Sequence, residues 1–166
     1  MLNETPLERI WFVVSPQNPF KTEAGLLNEY HRLHLVQLAI GDNTKMRASD
    51  IEFSLPKPSY TAVTLAYLQE KYPEHKFSII MGSDSFQNLH KWKNADVIIK
   101  NYPIYVYQRP GFEITDTLQA AVTIVKAPLL QLSATEIRQY IREGKSIRYM
   151  VPDAVREEIE RGGYYR

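Results

Sequence analysis

Short apolar runs alternate with amphipathic stretches along most of this chain. Residues 9–14 (Arg-Ile-Trp-Phe-Val-Val), 77–81 (Phe-Ser-Ile-Ile-Met), 104–107 (Ile-Tyr-Val-Tyr) and 122–125 (Val-Thr-Ile-Val) are too brief for helices. They are rich in β-branched and aromatic side chains, which predicts strands, the run at 77–81 being buried on both faces. Residues 46–53 read as a short or edge strand closed by Pro56-Lys57-Pro58. Between the strands the period changes to that of a helix. Over residues 24–40, Leu26, Tyr30, Leu33 and Ile40 fall near one line, and Gly41-Asp42-Asn43 ends the run. Further helices are predicted from Ser59-Tyr60-Thr61 to Tyr72-Pro73, with Val63, Leu65, Ala66 and Leu68 inward, over residues 95–100, from Ser133 to Gly144, and over residues 153–161. Strands that alternate with helices give a parallel sheet in a doubly wound α/β fold, here as a single domain.

Four stretches carry candidate chemistry. Gly82-Ser83-Asp84 follows the strand at 77–81. Gly82 permits close backbone approach, and Ser83 and Asp84 are placed to cap a helix over residues 85–90, at the strand end where open α/β sheets bind ligands. Ordinary strand-to-helix punctuation explains the same residues. Downstream, Trp92 stands between Lys91 and Lys93. It suits either packing on lysine stems or a planar ligand with negative charge. Residues 15–21 (Ser-Pro-Gln-Asn-Pro-Phe-Lys) form a loop whose two prolines fix its shape, with Lys21 its only charge. Finally, Ser133 and Glu136 have capping-box spacing, and Thr135 and Arg138 lie beside the unpaired N–H groups of that helix start. Hydroxyls, N–H dipoles and a guanidinium together make a phosphate site; a plain capped helix accounts for Ser133 and Glu136 alone.

His31 and His34 share a helix at a spacing that invites a metal reading, but no acidic partner accompanies them, and His34 is expected on the buried side among Leu27, Tyr30 and Leu38. Ser59 or Thr61 is the expected cap of the second helix.

Composition narrows the class. The 166 residues, 44% hydrophobic and 23% charged, are those of a globular domain. The absence of cysteine excludes disulfides and thiolate metal sites. A formal net charge of +1 offers no electrostatic case for nucleic acid. No apolar run is long enough to span a membrane and the first residues lack signal-peptide character, so a cytoplasmic protein is expected.

The motifs taken together, Ser15 to Lys21, Ser59-Tyr60-Thr61, Gly82-Ser83-Asp84 with Lys91-Trp92, Arg109-Pro110-Gly111 and Ser133-Ala134-Thr135-Glu136-Ile137-Arg138, resemble the bacterial nicotinate-nucleotide adenylyltransferases over essentially the whole chain. The resemblance implies a Rossmann-like fold that joins ATP to nicotinate mononucleotide, giving nicotinate adenine dinucleotide and pyrophosphate. It implies that Ser133, Thr135 and Arg138 hold ATP phosphates, with Arg138 catalytic, and that Trp92 stacks on the nicotinate ring. Gly82 and Asp84 would line the nucleotide site, Thr61 would meet the pyridine carboxylate, and Arg109 and Lys21 would supply positive charge near phosphate. Magnesium would accompany ATP, held mainly by phosphate oxygens. Oligomeric state is not implied.

One departure goes with it. The family's Gly-x-Phe-x-Pro-x-His-x-Gly-His loop is absent, and His75 and His90 stand in no such context. Residues 1–4 look like the end of the helix that follows that loop, so the expectation is a chain that begins inside the fold, lacking the family's first strand and its paired histidines. Such a chain would expose strand edges and lose charge stabilisation at the transferred phosphoryl group. The alternatives are a phosphopantetheine adenylyltransferase-like enzyme, which shares the Ser-x-Thr helix start but not Trp92, and a non-catalytic module that binds the mononucleotide.

Overall fold

The computed structural model describes residues 1–19, 26–126, 128 and 132–166. Its elements, in chain order, are β1 (Ile10–Val13), α1 (Glu29–Ile40), β2 (Met46–Ser49), a 3-10 turn (Ile51–Ser54), α2 (Thr61–Lys71), β3 (Ile79–Gly82), α3 (Ser83–Gln87), a second 3-10 turn (Leu89–Lys91), α4 (Ala95–Asn101), β4 (Ile104–Tyr107), β5 (Val122–Val125), α5 (Ala134–Arg142) and α6 (Asp153–Gly162). Every pairing between these strands is parallel, as the doubly wound α/β pattern requires. The strands lie in two sheets, of order β1-β2 and β3-β4-β5. Two compact units result, one of Met1–Leu7 with Pro58–Leu129, the other of Glu8–Lys57 with Leu130–Arg166.

The first unit is built on the three-stranded sheet. Phe86, Leu89, Ile98, Ile104 and Val106 are at most 1% exposed and form its centre, with Ala62 and Leu65 of α2 against them. Each large side chain so buried contributes about 1.5–3 kcal/mol. Strand β3 begins at Ile79, so Phe77 packs on this core from outside the strand, and Ile79 and Ile80 are half-buried rather than covered on both faces. In α2 the inward residues are Ala62, Thr64, Leu65 and Leu68, while Val63 and Ala66 face solvent. Between β4 and β5, residues 108–121 cross over without a helix, yet the strands pair in parallel with Ile104 beside Val122.

The second unit packs α1 and α6 around Ile147, Val155 and Ile159, with Leu35, Leu38 and Ile137 contributing. Helix α1 starts at Glu29, where the Asn28 carboxamide oxygen accepts the Tyr30 amide at 2.9 Å and caps it; residues 24 and 25 of the expected helix lie outside the described residues. With Leu35 and Leu38 turned inward, His34 is exposed, contrary to its expected burial, and Tyr30 is 64% exposed. His31 instead lies with Nδ1 2.9 Å from the Tyr164 hydroxyl. The strand expected over residues 46–53 stops at Ser49. The Ser49 hydroxyl accepts from the Ile51 amide and Asp50 accepts from Phe53, which turns the chain into a 3-10 segment. Residues 2–4 form a turn closed by Glu4 N–H to the Met1 carbonyl.

Glu29, in the first turn of α1, accepts a 2.7 Å hydrogen bond from Lys57. That bond, with the charges of Lys57 and Arg32 behind it, holds the Glu29 carboxyl below the usual carboxylate range. Because the folded value is depressed, the pair stabilises the protein above the unfolded carboxylate pKa, and this is lost as pH falls through the folded value. Glu29→Gln is therefore expected to flatten the acid limb of the stability profile while costing under about 1 kcal/mol at neutral pH. Denaturant melts of both proteins across the acid range check it.

Candidate functional site

In the first unit, the carboxyl ends of β3 and β4 bring together residues far apart in sequence. Parallel register sets Gly82 beside Tyr107, so the residues just past each strand meet. Gly82 takes the N-cap position of α3, and Ser83 and Asp84 are its first two residues, so neither caps it with its side chain. Ser83 is fully buried and accepts the Arg109 amide at 2.9 Å. The Arg109 guanidinium sets Nε and Nη2 on the Tyr107 hydroxyl at 3.1 and 2.9 Å and Nη1 on Asp84 Oδ2 at 3.3 Å. These contacts, the Tyr107 hydrogen bonds foremost and then the Asp84 charge, raise the Arg109 pKa further above its ordinary value. The other Asp84 oxygen, Oδ1, is buried without a hydrogen-bond partner among the described residues. A Cβ on Gly82 would stand 2.4 Å from that oxygen and 3.3 Å from Arg109 Nε, so only glycine leaves the carboxylate where it is.

Thr61 and Trp92 belong to the same unit. Thr61 is the first residue of α2; Tyr60 holds the cap position, and no side chain caps the helix, so neither Ser59 nor Thr61 does so. Trp92 is half-buried and packs on the core formed around Phe86 and Leu89. The lysines beside it are turned elsewhere, Lys91 to Asn88 at 2.8 Å and Lys93 over the Tyr60 ring at 4.3 Å.

In the second unit the helix start at Ser133 forms as the spacing predicts. The Ser133 hydroxyl accepts the Glu136 amide at 3.1 Å, and Ser133 and Thr135 are exposed at the first turn of α5. Arg138 lies half-buried, its guanidinium 5.5 Å from the centre of the Tyr165 ring. Tyr165 in turn lines an open cleft of about 580 Å³ with residues 11–15, Arg32, Leu35 and Val36. Arg32 donates to the carbonyls of Ser15 at 2.6 Å, Pro16 at 3.0 Å and Leu27 at 2.8 Å, which fixes the start of the proline loop. Lys21 lies outside the described residues.

Sequence reading missed Tyr107, Arg32 and Tyr165. The period of two that sets Tyr107 and Arg109 on one side was available as a signal. Nothing in the spacing marked Arg32 or Tyr165. As for a metal, no cluster of His, Asp or Glu with ligand spacing occurs among the described residues.

A family model described as cytidylyltransferase-like matches residues 1–140. A Cytophaga hutchinsonii protein named probable nicotinate-nucleotide adenylyltransferase is 48% identical over 166 residues, spanning 99% of this chain and 86% of the relative. A Flavobacterium johnsoniae protein of the same name is 45% identical over 163 residues, spanning 96% and 84%. Among solved structures, Plasmodium falciparum nicotinic acid mononucleotide adenylyltransferase complexed with NaAD superimposes with a TM-score of 0.79 at 18% identity, over 95% of this chain and 82% of that one. That likeness is one of fold.

Replacing Gly82 with alanine is expected to displace Asp84 and loosen its pair with Arg109, at a stability cost of about 1–3 kcal/mol for overpacking. Thermal melts and a crystal structure of Gly82→Ala read the two effects separately.

Proposed function

This chain belongs to the nicotinate-nucleotide adenylyltransferase family, and we propose how its residues divide the work of adenylyl transfer in NAD biosynthesis. The substrates are ATP and nicotinate mononucleotide. An oxygen of the mononucleotide phosphate attacks the α-phosphorus of ATP, the bond to the β,γ-diphosphate breaks, and nicotinate adenine dinucleotide and pyrophosphate leave. Because no covalent enzyme intermediate forms, the protein's task is to align two anions and stabilise the charge that grows between them.

Ser133, Thr135, the first N–H groups of α5 and Arg138 receive the ATP phosphates, with Arg138 stabilising the transferred group. On the first unit, Gly82 lets a nucleotide approach the end of β3, and Asp84 Oδ1 offers it an acceptor. Arg109, braced by Tyr107, presents positive charge to phosphate, and Lys21 adds to it. Thr61 meets the pyridine carboxylate and the Trp92 face takes the nicotinate ring. The observation that carries this assignment is the strand-end cluster, in which a fixed guanidinium, a close-approach glycine and a buried acceptor with no protein partner converge.

Magnesium fits this site only in one form. With no carboxylate cage among the described residues, the ion would be held by the nucleotide's phosphates and water and arrive with ATP. When bound it would offset phosphate charge; the alignment is left to Arg138, Arg109 and the α5 amides. No helix among the described residues is long and apolar enough to cross a membrane. Relatives at 45–48% identity that bear the nicotinate-nucleotide name favour this acceptor over phosphopantetheine.

Pyrophosphate release from ATP is expected only when nicotinate mononucleotide is supplied. Arg138→Ala should lower kcat/KM by about 10²-fold or more, the usual loss for a preorganised phosphate donor. Trp92→Ala should raise the KM for the mononucleotide by roughly tenfold with the KM for ATP unchanged, as loss of a stacking face predicts. An unaltered mononucleotide KM would place the ring elsewhere.

A further inference from the structure

Tyr165 adopts a left-handed backbone conformation, with φ at +66°. A bulky side chain holds that conformation only where its surroundings impose it. Here Tyr165 lines the cleft beside β1 together with residues 11–15, Leu35 and Val36, and its ring lies 5.5 Å from the Arg138 guanidinium. Burial raises the Tyr165 phenol pKa, although Arg138 and Arg32 pull it the other way. The ring is therefore a neutral phenol, whose electron-rich face attracts a cation without neutralising it. No carboxylate among the described residues is in ion-pair range of Arg138.

We propose that Tyr165 is a positioning residue for ATP binding: its ring holds the Arg138 guanidinium in place while leaving the whole positive charge for phosphate. The proposal rests on the reading of Arg138 as a phosphate ligand. A long arginine side chain free in solvent samples many rotamers and must be ordered each time it meets its ligand. A cation–π contact orders it beforehand, whereas a carboxylate would order it and cancel the charge.

Calorimetric titration of the full chain with ATP, using Arg138→Ala, Tyr165→Leu, Tyr165→Phe and the double variant Arg138→Ala with Tyr165→Leu, tests this. Tyr165→Leu should weaken ATP binding roughly two- to fivefold, the range a half-exposed cation–π contact supports. Tyr165→Phe should restore it, and the double variant should bind like Arg138→Ala alone. In steady-state assays the Tyr165→Leu change should fall on the KM for ATP and not on that for the mononucleotide. If Arg138→Ala weakens binding and Tyr165→Leu does not, or if the two losses simply add, the positioning role is overturned. If Arg138→Ala leaves ATP affinity intact, it is the reading of Arg138 that fails. Ring-fluorinated phenylalanines at position 165 keep the packing and drain electron density from the face. Affinity that falls stepwise with fluorination supports the proposal even if Tyr165→Leu folds poorly, and a flat series overturns it.

Discussion

Parallel pairing of β3 with β4, with Gly82 set beside Tyr107, is the constraint on which the first unit's strand-end cluster depends. Strands that run the same way finish on the same side, so the residues that follow them must share one small volume. Ser83 fills the buried part of that volume and takes up the Arg109 amide; Asp84 and Arg109 fill the rest. A slip of one residue would send Tyr107 to the opposite face and leave the guanidinium without its brace. Core packing is what forbids the slip, because Ile104 and Val106, both fully buried, would then turn outward.

The second unit solves a related problem with side chains in place of sheet neighbours. Among the described residues β1 pairs with β2 alone, and the loop that leaves it carries two prolines that deny it a regular ladder. Arg32, from the second turn of α1, supplies the missing donors: one guanidinium satisfies carbonyls at Ser15, Pro16 and Leu27. Charge-assisted bonds to three carbonyls hold the loop where it leaves the strand and again where the chain nears α1, which ties α1 to the end of β1.

Much of this was readable in the chain. β4, β5, the helix over Ala95–Asn101 and the Ser133 cap stand where pattern and spacing put them, because each is decided by residues within one turn or one strand. The misreadings have a common origin in competition between local and tertiary terms. Residues 46–53 alternate well enough for a strand, but the Ser49 hydroxyl and Asp50 carbonyl offered the backbone a tighter local turn. His34 was placed by its neighbours on a helical wheel, while the face that α1 buries is set by β2 and α6 together. At the candidate site, Gly82, Asp84 and Arg109 were visible as types in a motif, but their geometry was not. Tyr107 becomes part of the site only through strand register, and Tyr165 only through the fold of the chain after α6, which no local periodicity encodes.

The way the arginines are held bears directly on function. A protein with a net charge of +1 that must gather two polyanions has to create positive potential locally, and every carboxylate used to anchor a guanidinium spends that potential. Arg109 is gripped chiefly by a phenol, with Asp84 further off at 3.3 Å, and Arg138 by a ring face. Arg32 is gripped by carbonyls. Neutral anchors hold the planar fork in orientation, which lysine could not reproduce, without offsetting its charge; Arg109 also has a carboxylate beside it, Asp84. Elsewhere on the same protein the anchors are of the other kind: Arg156 is ringed by Asp153, Glu157 and Glu160 on α6. The contrast separates arginines held by neutral groups from an arginine that ties a helix to itself through ion pairs.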